Sequence, residues 1–308
     1  MVYDLIYKLK KFAVNMYLLN RKLDLIRIAL GRIEFNQIKI MNQNKVDPYK
    51  NLQEFECKIF SQWGEDGIIQ YLVNNLDIEK KIFVEFGVEN YTESNTRFLL
   101  INNNWSGLVI DGDKKNIEYI KKDDIYWKYN IKAEEAFITV ENINNLIKKN
   151  GIEGNIGLLS VDIDGNDYWV WQAIDVVTPA IVICEYNSRL GKEEAITVPY
   201  DPSFVRHKKH YSGLYYGASI KAFTSLAAEK GYSLVGGNSN GCNLFFVKNT
   251  LLNDCVKQCC IDEAFQQAQY RESRDKGGKL SFIGIEEEIK ILETLDYTYV
   301  NKEGKNES

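Results

Sequence analysis

Lys81-Ile-Phe-Val-Glu-Phe-Gly-Val-Glu-Asn90, taken with Gly107-Leu-Val-Ile-Asp111, decides the fold of this 308-residue chain. An apolar run ends in Glu85-x-Gly87, a helical stretch follows, and a second apolar run ends in Asp111. That is the first βαβ unit of a nucleotide-type α/β domain. A glycine at the first strand end lets the backbone approach a ligand, and an acid at the second accepts hydrogen bonds from a ribose. The second and third glycines of the dinucleotide fingerprint, which make room for a pyrophosphate at a helix N-terminus, are missing. The expected ligand is a nucleoside without a pyrophosphate, a description that S-adenosylmethionine fits.

Outward from this unit, the alternation of elements continues. Residues 61–67 open a helix running through Ile68, Ile69, Leu72 and Val73. The first strand spans 82–86, its helix 92–102, the second strand 108–110 and the next helix 116–121. A third strand falls between 126 and 140, and a helix covers 142–149. Residues 156–163 and 180–185 are apolar, β-branched runs of the kind buried on both faces of a parallel sheet. A helix over 218–230 stops at Gly231. Strands at 232–235 and 243–247, separated by Gly236-Gly-Asn-Ser-Asn-Gly241, read as an antiparallel closing hairpin. Residues 1–45 read as one or two helices outside this domain, with Asn42-Gln-Asn-Lys-Val-Asp-Pro48 as a polar boundary. The tail from 251 reads as charged and helical, with disordered last residues. The division is thus 1–45, 55–250 and 251–308.

Hydrophobic content of 45 % is enough for a full core, and a net charge of −5 gives no argument for nucleic-acid binding. The six cysteines have no regular spacing and read as reduced thiols of a cytoplasmic protein. Cys255, Cys259 and Cys260 lack a fourth ligand for a metal cluster. In the N-terminal segment, charges interrupt every apolar run well short of a membrane span. Leu5, Leu9, Phe12, Met16, Leu19, Leu23 and Ile26 recur every three or four positions beside Lys8, Lys10, Lys11, Arg21, Lys22 and Arg27. Such a basic amphipathic helix packs on its own domain, joins a second subunit, or lies on the inner face of a membrane as a peripheral contact.

Carboxylates cluster at the expected strand ends. Asp162, Asp164 and Asp167 follow the fourth strand, and Glu185 and Asn187 follow the fifth. In an open parallel sheet these groups, with Glu85 and Asp111, rim one crevice. Asp164 and Glu185 are the candidate ligands for Mg²⁺ or Ca²⁺; Asp164-Gly-Asn-Asp167 capping the next helix, with cofactor contacts, explains the cluster without a metal. The only two histidines, His207 and His210, lie in the loop between Pro199 and Gly217 and could take a proton from a hydroxyl near neutral pH. Arg206, Lys208 and Lys209 beside them fit a solvated basic loop just as well. No nucleophile elbow and no phosphate-binding lysine loop is present.

Four segments resemble the FkbM-like branch of class I S-adenosylmethionine-dependent methyltransferases. They are Phe83-Val-Glu-Phe-Gly-Val-Glu-Asn-x-x-Glu-Ser-Asn-Thr96, Trp105-Ser-Gly-Leu-Val-Ile-Asp-Gly-Asp113, Leu158-Leu-Ser-Val-Asp-Ile-Asp-Gly-Asn-Asp-Tyr-Trp-Val-Trp171 and Val182-Ile-Cys-Glu-Tyr-Asn187. Thr197-Val-Pro-Tyr-Asp-Pro202 and Tyr216-Gly-Ala-Ser219 add to the match, which spans residues 55–290. Val88 and Glu89 stand where that family commonly has further glycines.

The resemblance implies a Rossmann-like methyltransferase fold, mostly parallel with an antiparallel C-terminal hairpin. It implies methyl transfer from S-adenosylmethionine to a sugar hydroxyl of a surface polysaccharide, a glycolipid or its nucleotide-sugar precursor. In that reading Glu85, Gly87, Asn95, Asp111 and Asp162 hold the cofactor, and Glu185, Asn187, Tyr200 and Asp201 hold a glycan or small-molecule acceptor. The base is sought among Asp162, Asp164, His207 and His210, with Mg²⁺ as a second candidate cofactor. The competing expectations are a non-catalytic relative in glycan assembly and a membrane-surface protein anchored by its first helix.

Overall fold

The computed structural model describes residues 2–42 and 51–300. Among the described residues nine strands form: β1 (Ile82–Phe86), β2 (Ser106–Asp111), β3 (Ile131–Glu135), β4 (Gly154–Val161), β5 (Val177–Glu185), β6 (Ile196–Thr197), β7 (Tyr232–Gly237), β8 (Asn243–Lys248) and β9 (Thr298–Tyr299). Seven of them make one sheet in the order β3-β2-β1-β4-β5-β8-β7. Pairing is parallel from β3 through β5, while β8 runs antiparallel to both β5 and β7. This is a mostly parallel Rossmann-like methyltransferase fold closed by an antiparallel hairpin, as the alternation of elements predicts.

The β-branched runs are buried on both sides because helices cover both faces. Alternate residues of each strand enter opposite cores. Val84, Phe86, Leu108, Ile110, Leu159, Val161, Val182 and Cys184 face the helices Ile143–Lys149, Asp167–Ala173 and Ile220–Glu229. Phe83, Val109, Leu158, Ile181 and Ile183 face the helices Glu65–Asn75, Arg97–Asn103 and Lys114–Lys122. Strand order reverses between β1 and β4, and ligands of open α/β sheets bind beyond the strand ends at that switch point.

Three expectations differ in detail. The helix after β1 starts at Arg97, not 92, because residues 91–96 form a turn gathered around the Glu85 carboxylate. The amino-terminal segment is one uninterrupted helix, α1 (Val2–Asn42), of 41 residues. The expected boundary at 43–48 and the end of the tail lie outside the described residues. Among the described residues the segment after 251 is largely irregular, with helices at Ile261–Ala264 and Ile285–Leu292. It packs back on the sheet: Val256 and Ala264 are buried, and β9 pairs with β6. No helix among the described residues is long and apolar enough to cross a membrane.

Candidate active site

A cleft of about 590 Å³ opens at the carboxyl ends of β1, β2, β4 and β5, within the size range of small-molecule sites. Its first wall is the β1 turn. Gly87 has a φ of +67°, and a Cβ there would sit 1.7 Å from the Asp162 carbonyl oxygen. The glycine is therefore demanded by the approach of β4's end, a tighter constraint than the expected approach of a cofactor. Where further glycines are missing, the backbone keeps the glycine conformation anyway: Glu89 has a φ of 48°. That is unfavourable for a side-chain-bearing residue. The Glu89 N–H donates to Asp111 Oδ2 at 2.8 Å, which offsets part of the cost.

Glu85 is buried and accepts from Asn95 N (2.8 Å), Thr96 N (3.1 Å) and Thr96 Oγ1 (2.5 Å). Its carboxylate builds the turn and also lines the cleft. Burial pushes its pKa up to about 7, against the pull of those donors. Asn95 reaches across to Ser160 Oγ at 3.1 Å. Asp111 Oδ1 accepts from Asp113 N and Asn116 Nδ2, so this acid fixes the start of the next helix while still lining the cleft. Beyond it lie Gly112, Ala136, Phe137 and Ile138, an apolar end with Phe137 half exposed.

The chemical centre is Asp162, Asp164 and Glu185, whose carboxylate oxygens lie within 4.8 Å of one another. It is the one group of three or more potential metal ligands among the described residues; the six cysteines are free and form no such group. Asp162 and Glu185 thus face each other at the ends of neighbouring strands. Burial raises the pKa of Asp162, and Asp164 and Asp167 raise it further; burial and Asp162 raise that of Glu185. No donor reaches the buried Glu185 Oε2. Two carboxyls this close and this buried disfavour each other's ionisation, so the pair holds on to a proton more readily than free carboxylates do.

Asp164, held at a φ of 56°, pairs with Arg206 Nη1 at 2.5 Å. Arg206 also donates to the Gly213 carbonyl at 2.6 Å and lies 3.9 Å over the Tyr216 ring. Burial works against its charge, but Tyr216, Asp164 and Glu185 outweigh it. Asp167 turns away from the cleft and accepts from Ile163 N and Gly165 N, closing the β4 turn.

Of the remaining expected residues, His207 lines the cleft, exposed, beside Gly213. The others stand outside its lining. His210 is bonded through Nδ1 to Ser212 Oγ at 2.7 Å, and burial lowers its pKa. Tyr200 donates to Glu141 at 2.6 Å, and Asp201 caps Ser203 and pairs with Lys209. Asn187 is fully buried, donating to the Leu214 and Tyr216 carbonyls, because it ties β5 to the following loop. Sequence reading missed Arg206, Phe137, Trp63 and Tyr270. Tyr270 comes from the carboxyl-terminal segment: its hydroxyl meets that of Tyr216 at 2.5 Å, and its ring lies 6.3 Å from Trp63. Arg189, in a buried ion pair with Glu288 at 2.6 Å, lies 4.8 Å over the same ring.

No family model matches the chain, and no curated protein matches it. Among solved structures it is similar to the N-terminal domain of EvdMO1 with SAH bound, at 10 % identity over 60 % of this chain and 80 % of that one, with a TM-score of 0.39. It is also similar to M. capricolum TrmK in complex with S-adenosyl-homocysteine, at 10 % identity over 66 % of this chain and 76 % of that one, with a TM-score of 0.39. A third is a S-adenosylmethionine-dependent methyltransferase from Clostridium acetobutylicum, at 11 % identity over 60 % and 90 %, with a TM-score of 0.38. Likeness this distant carries no argument about what this chain does; the fold rests on its own strand order.

Proposed function

We propose that the chain is an S-adenosylmethionine-dependent O-methyltransferase acting on a sugar hydroxyl of a surface polysaccharide, a glycolipid or its nucleotide-sugar precursor. The observation that carries this reading is the cleft at the β1/β4 switch point, where an end lined by Asp111, Phe137 and Ile138 meets the Asp162 and Glu185 carboxyls. The cofactor fits the first half by its chemistry. Phe137 and Ile138 offer an apolar face for a base, Asp111 an acceptor for ribose hydroxyls, and Asp162 a negative group for an ammonium. When bound, the cofactor supplies an electrophilic methyl group.

The protein's own residues then align the acceptor and take its proton. Methyl transfer is an in-line displacement, so alignment supplies much of the rate. Gln62, Trp63, Asn243, Arg206, Tyr270 and Glu272 line the other half, a polar and aromatic wall suited to a polyhydroxylated ring. The carboxyl of Asp162 or Glu185 that is ionised accepts the hydroxyl proton. Arg206 holds Asp164 in place and keeps it from repelling the pair.

A second reading of the same trio is a Mg²⁺ site, favoured by three hard oxygen ligands within reach of one ion. Calorimetric titration with S-adenosylhomocysteine tests the main proposal. Wild type should bind, and Asp111→Ala should weaken binding at least about tenfold, since a charge-assisted hydrogen bond is worth roughly 1.5–3 kcal/mol. A folded wild-type chain that gives no binding heat leaves the non-catalytic alternative standing.

A further inference from the structure

Helix α1 carries two different faces. Ile28, Gly31, Phe35 and Ile38 turn toward the body, where Ile28 packs in the cluster of Cys57, Ile59, Phe60 and Phe98. Arg21 and Arg32 tie the same side down through Asp124 and Asn102. On another side run Leu5, Leu9, Phe12, Met16, Leu19, Leu23, Ile26, Leu30 and Ile33. All nine are between 41 % and 65 % exposed.

The spacing of these nine is 4, 3, 4, 3, 4, 3, 4, 3. It is an unbroken heptad pattern with Leu9, Met16, Leu23 and Leu30 at a and Leu5, Phe12, Leu19, Ile26 and Ile33 at d. The body-facing residues Ile28, Gly31, Phe35 and Ile38 then fall at f, b, f and b, the positions farthest from an a/d seam. A 3.5-residue repeat on a straight helix drifts by about 20° per heptad. Over four heptads such a seam winds around the helix, which a second helix follows by supercoiling and a flat membrane surface does not.

We infer that α1 is one strand of a two-stranded coiled coil whose other strand is α1 of a second copy of this chain. The seam is self-complementary, as a two-fold interface requires. Nine half-exposed side chains on each of the two helices, at roughly 100 Å² apiece, bury up to about 1,800 Å² in total, inside the range of stable interfaces.

Sedimentation equilibrium of the full chain tests this. The expected mass is twice 35.6 kDa. The double variant Leu19→Glu with Leu23→Glu should be a monomer, and Val14→Glu, at an exposed f position, should stay a dimer. Because the seam residues do not belong to the body's core clusters, the body's thermal transition should be the same in all three proteins. A wild-type monomer at high micromolar concentration would overturn the inference, as would a dimer that survives the double variant. So would a monomer that co-sediments with phosphatidylserine vesicles through the same residues, which would assign the strip to a lipid surface.

Discussion

Gly87 offers the sharpest test of how the cleft is built. In Gly87→Ala the new Cβ would lie 1.7 Å from the Asp162 carbonyl oxygen and 2.9 Å from its carbon, both backbone atoms that cannot rotate away. The strand ends of β1 and β4 must part. The left-handed φ costs about 1–2 kcal/mol for an L-residue, and overpacking a closed space costs about 1–3 kcal/mol more. The sum, roughly 2–5 kcal/mol, corresponds to a fall in melting temperature of roughly 3–8 °C for a chain of this size. Gly231→Ala is the matched control, since Gly231 also has a positive φ, of 81°, but nothing lies within 4 Å of its Cβ position. It should lose only the conformational part, about 1–2 kcal/mol. Thermal melts of the two variants by circular dichroism isolate the contact as their difference. Equal losses would refute the reasoning, for they would mean that Asp162 does not press on Gly87. Because Asp162 moves with its carbonyl, Gly87→Ala should also weaken S-adenosylhomocysteine, whereas Gly231→Ala should not.

The acid pair and its surroundings give further expectations. Glu185→Gln should lower turnover by about 10²–10⁴-fold, the usual worth of a general base, with S-adenosylhomocysteine affinity little changed. Both pair members have raised pKa values, so the proton-free base fills as pH rises. Wild-type turnover should therefore climb with pH above the ordinary carboxylate range and fall off below it, and a pH–rate profile that is flat there would remove the pair from the mechanism. Glu288→Gln leaves Arg189 buried without its carboxylate; breaking such a pair costs about 3–5 kcal/mol, read as a loss in urea midpoint, and Tyr270 should lose its order in the cleft. If Mg²⁺ bridges the trio, EDTA should abolish methyl transfer and added Mg²⁺ restore it; undiminished activity in chelator limits these acids to proton and hydrogen-bond work.

The sheet was legible because its signals are local. Apolar runs ending in Glu85-x-Gly87, Asp111, Asp162 and Glu185 mark strands and name the groups at their ends without any knowledge of the partners. The closing hairpin was legible from its glycine-rich turn. What local signals do not carry is which way a polar side chain turns. Asn187 and Asp162 both follow buried strands, yet one is consumed by the Leu214 and Tyr216 carbonyls and the other faces the cleft. Arg206 read as one more cation in a basic loop, because its partners Asp164 and Tyr216 are 42 and 10 positions away. Tyr270 lies in a segment with no periodicity, brought to the cleft by the distant Arg189–Glu288 pair. The heptad of α1 was visible as a three-or-four spacing, but only the burial of Ile28 and Gly31 shows which side of the helix's second half meets the body and which is left over.

The place of β8 between β5 and β7 has a consequence for synthesis on the ribosome. β7 leaves the ribosome first yet occupies the outer edge, and its only neighbour in the sheet is β8. Until residues 243–248 emerge, β7 has nothing to pair with, and β5 remains an open edge carrying Ile181, Val182 and Ile183. An unpaired apolar edge of that kind is a template for joining another nascent chain. A polypeptide released by a stop codon before residue 243 should thus accumulate in inclusion bodies. One released just after residue 248 can close the sheet but lacks Tyr270 and the Arg189–Glu288 pair, and so should leave the cleft without its carboxyl-terminal wall.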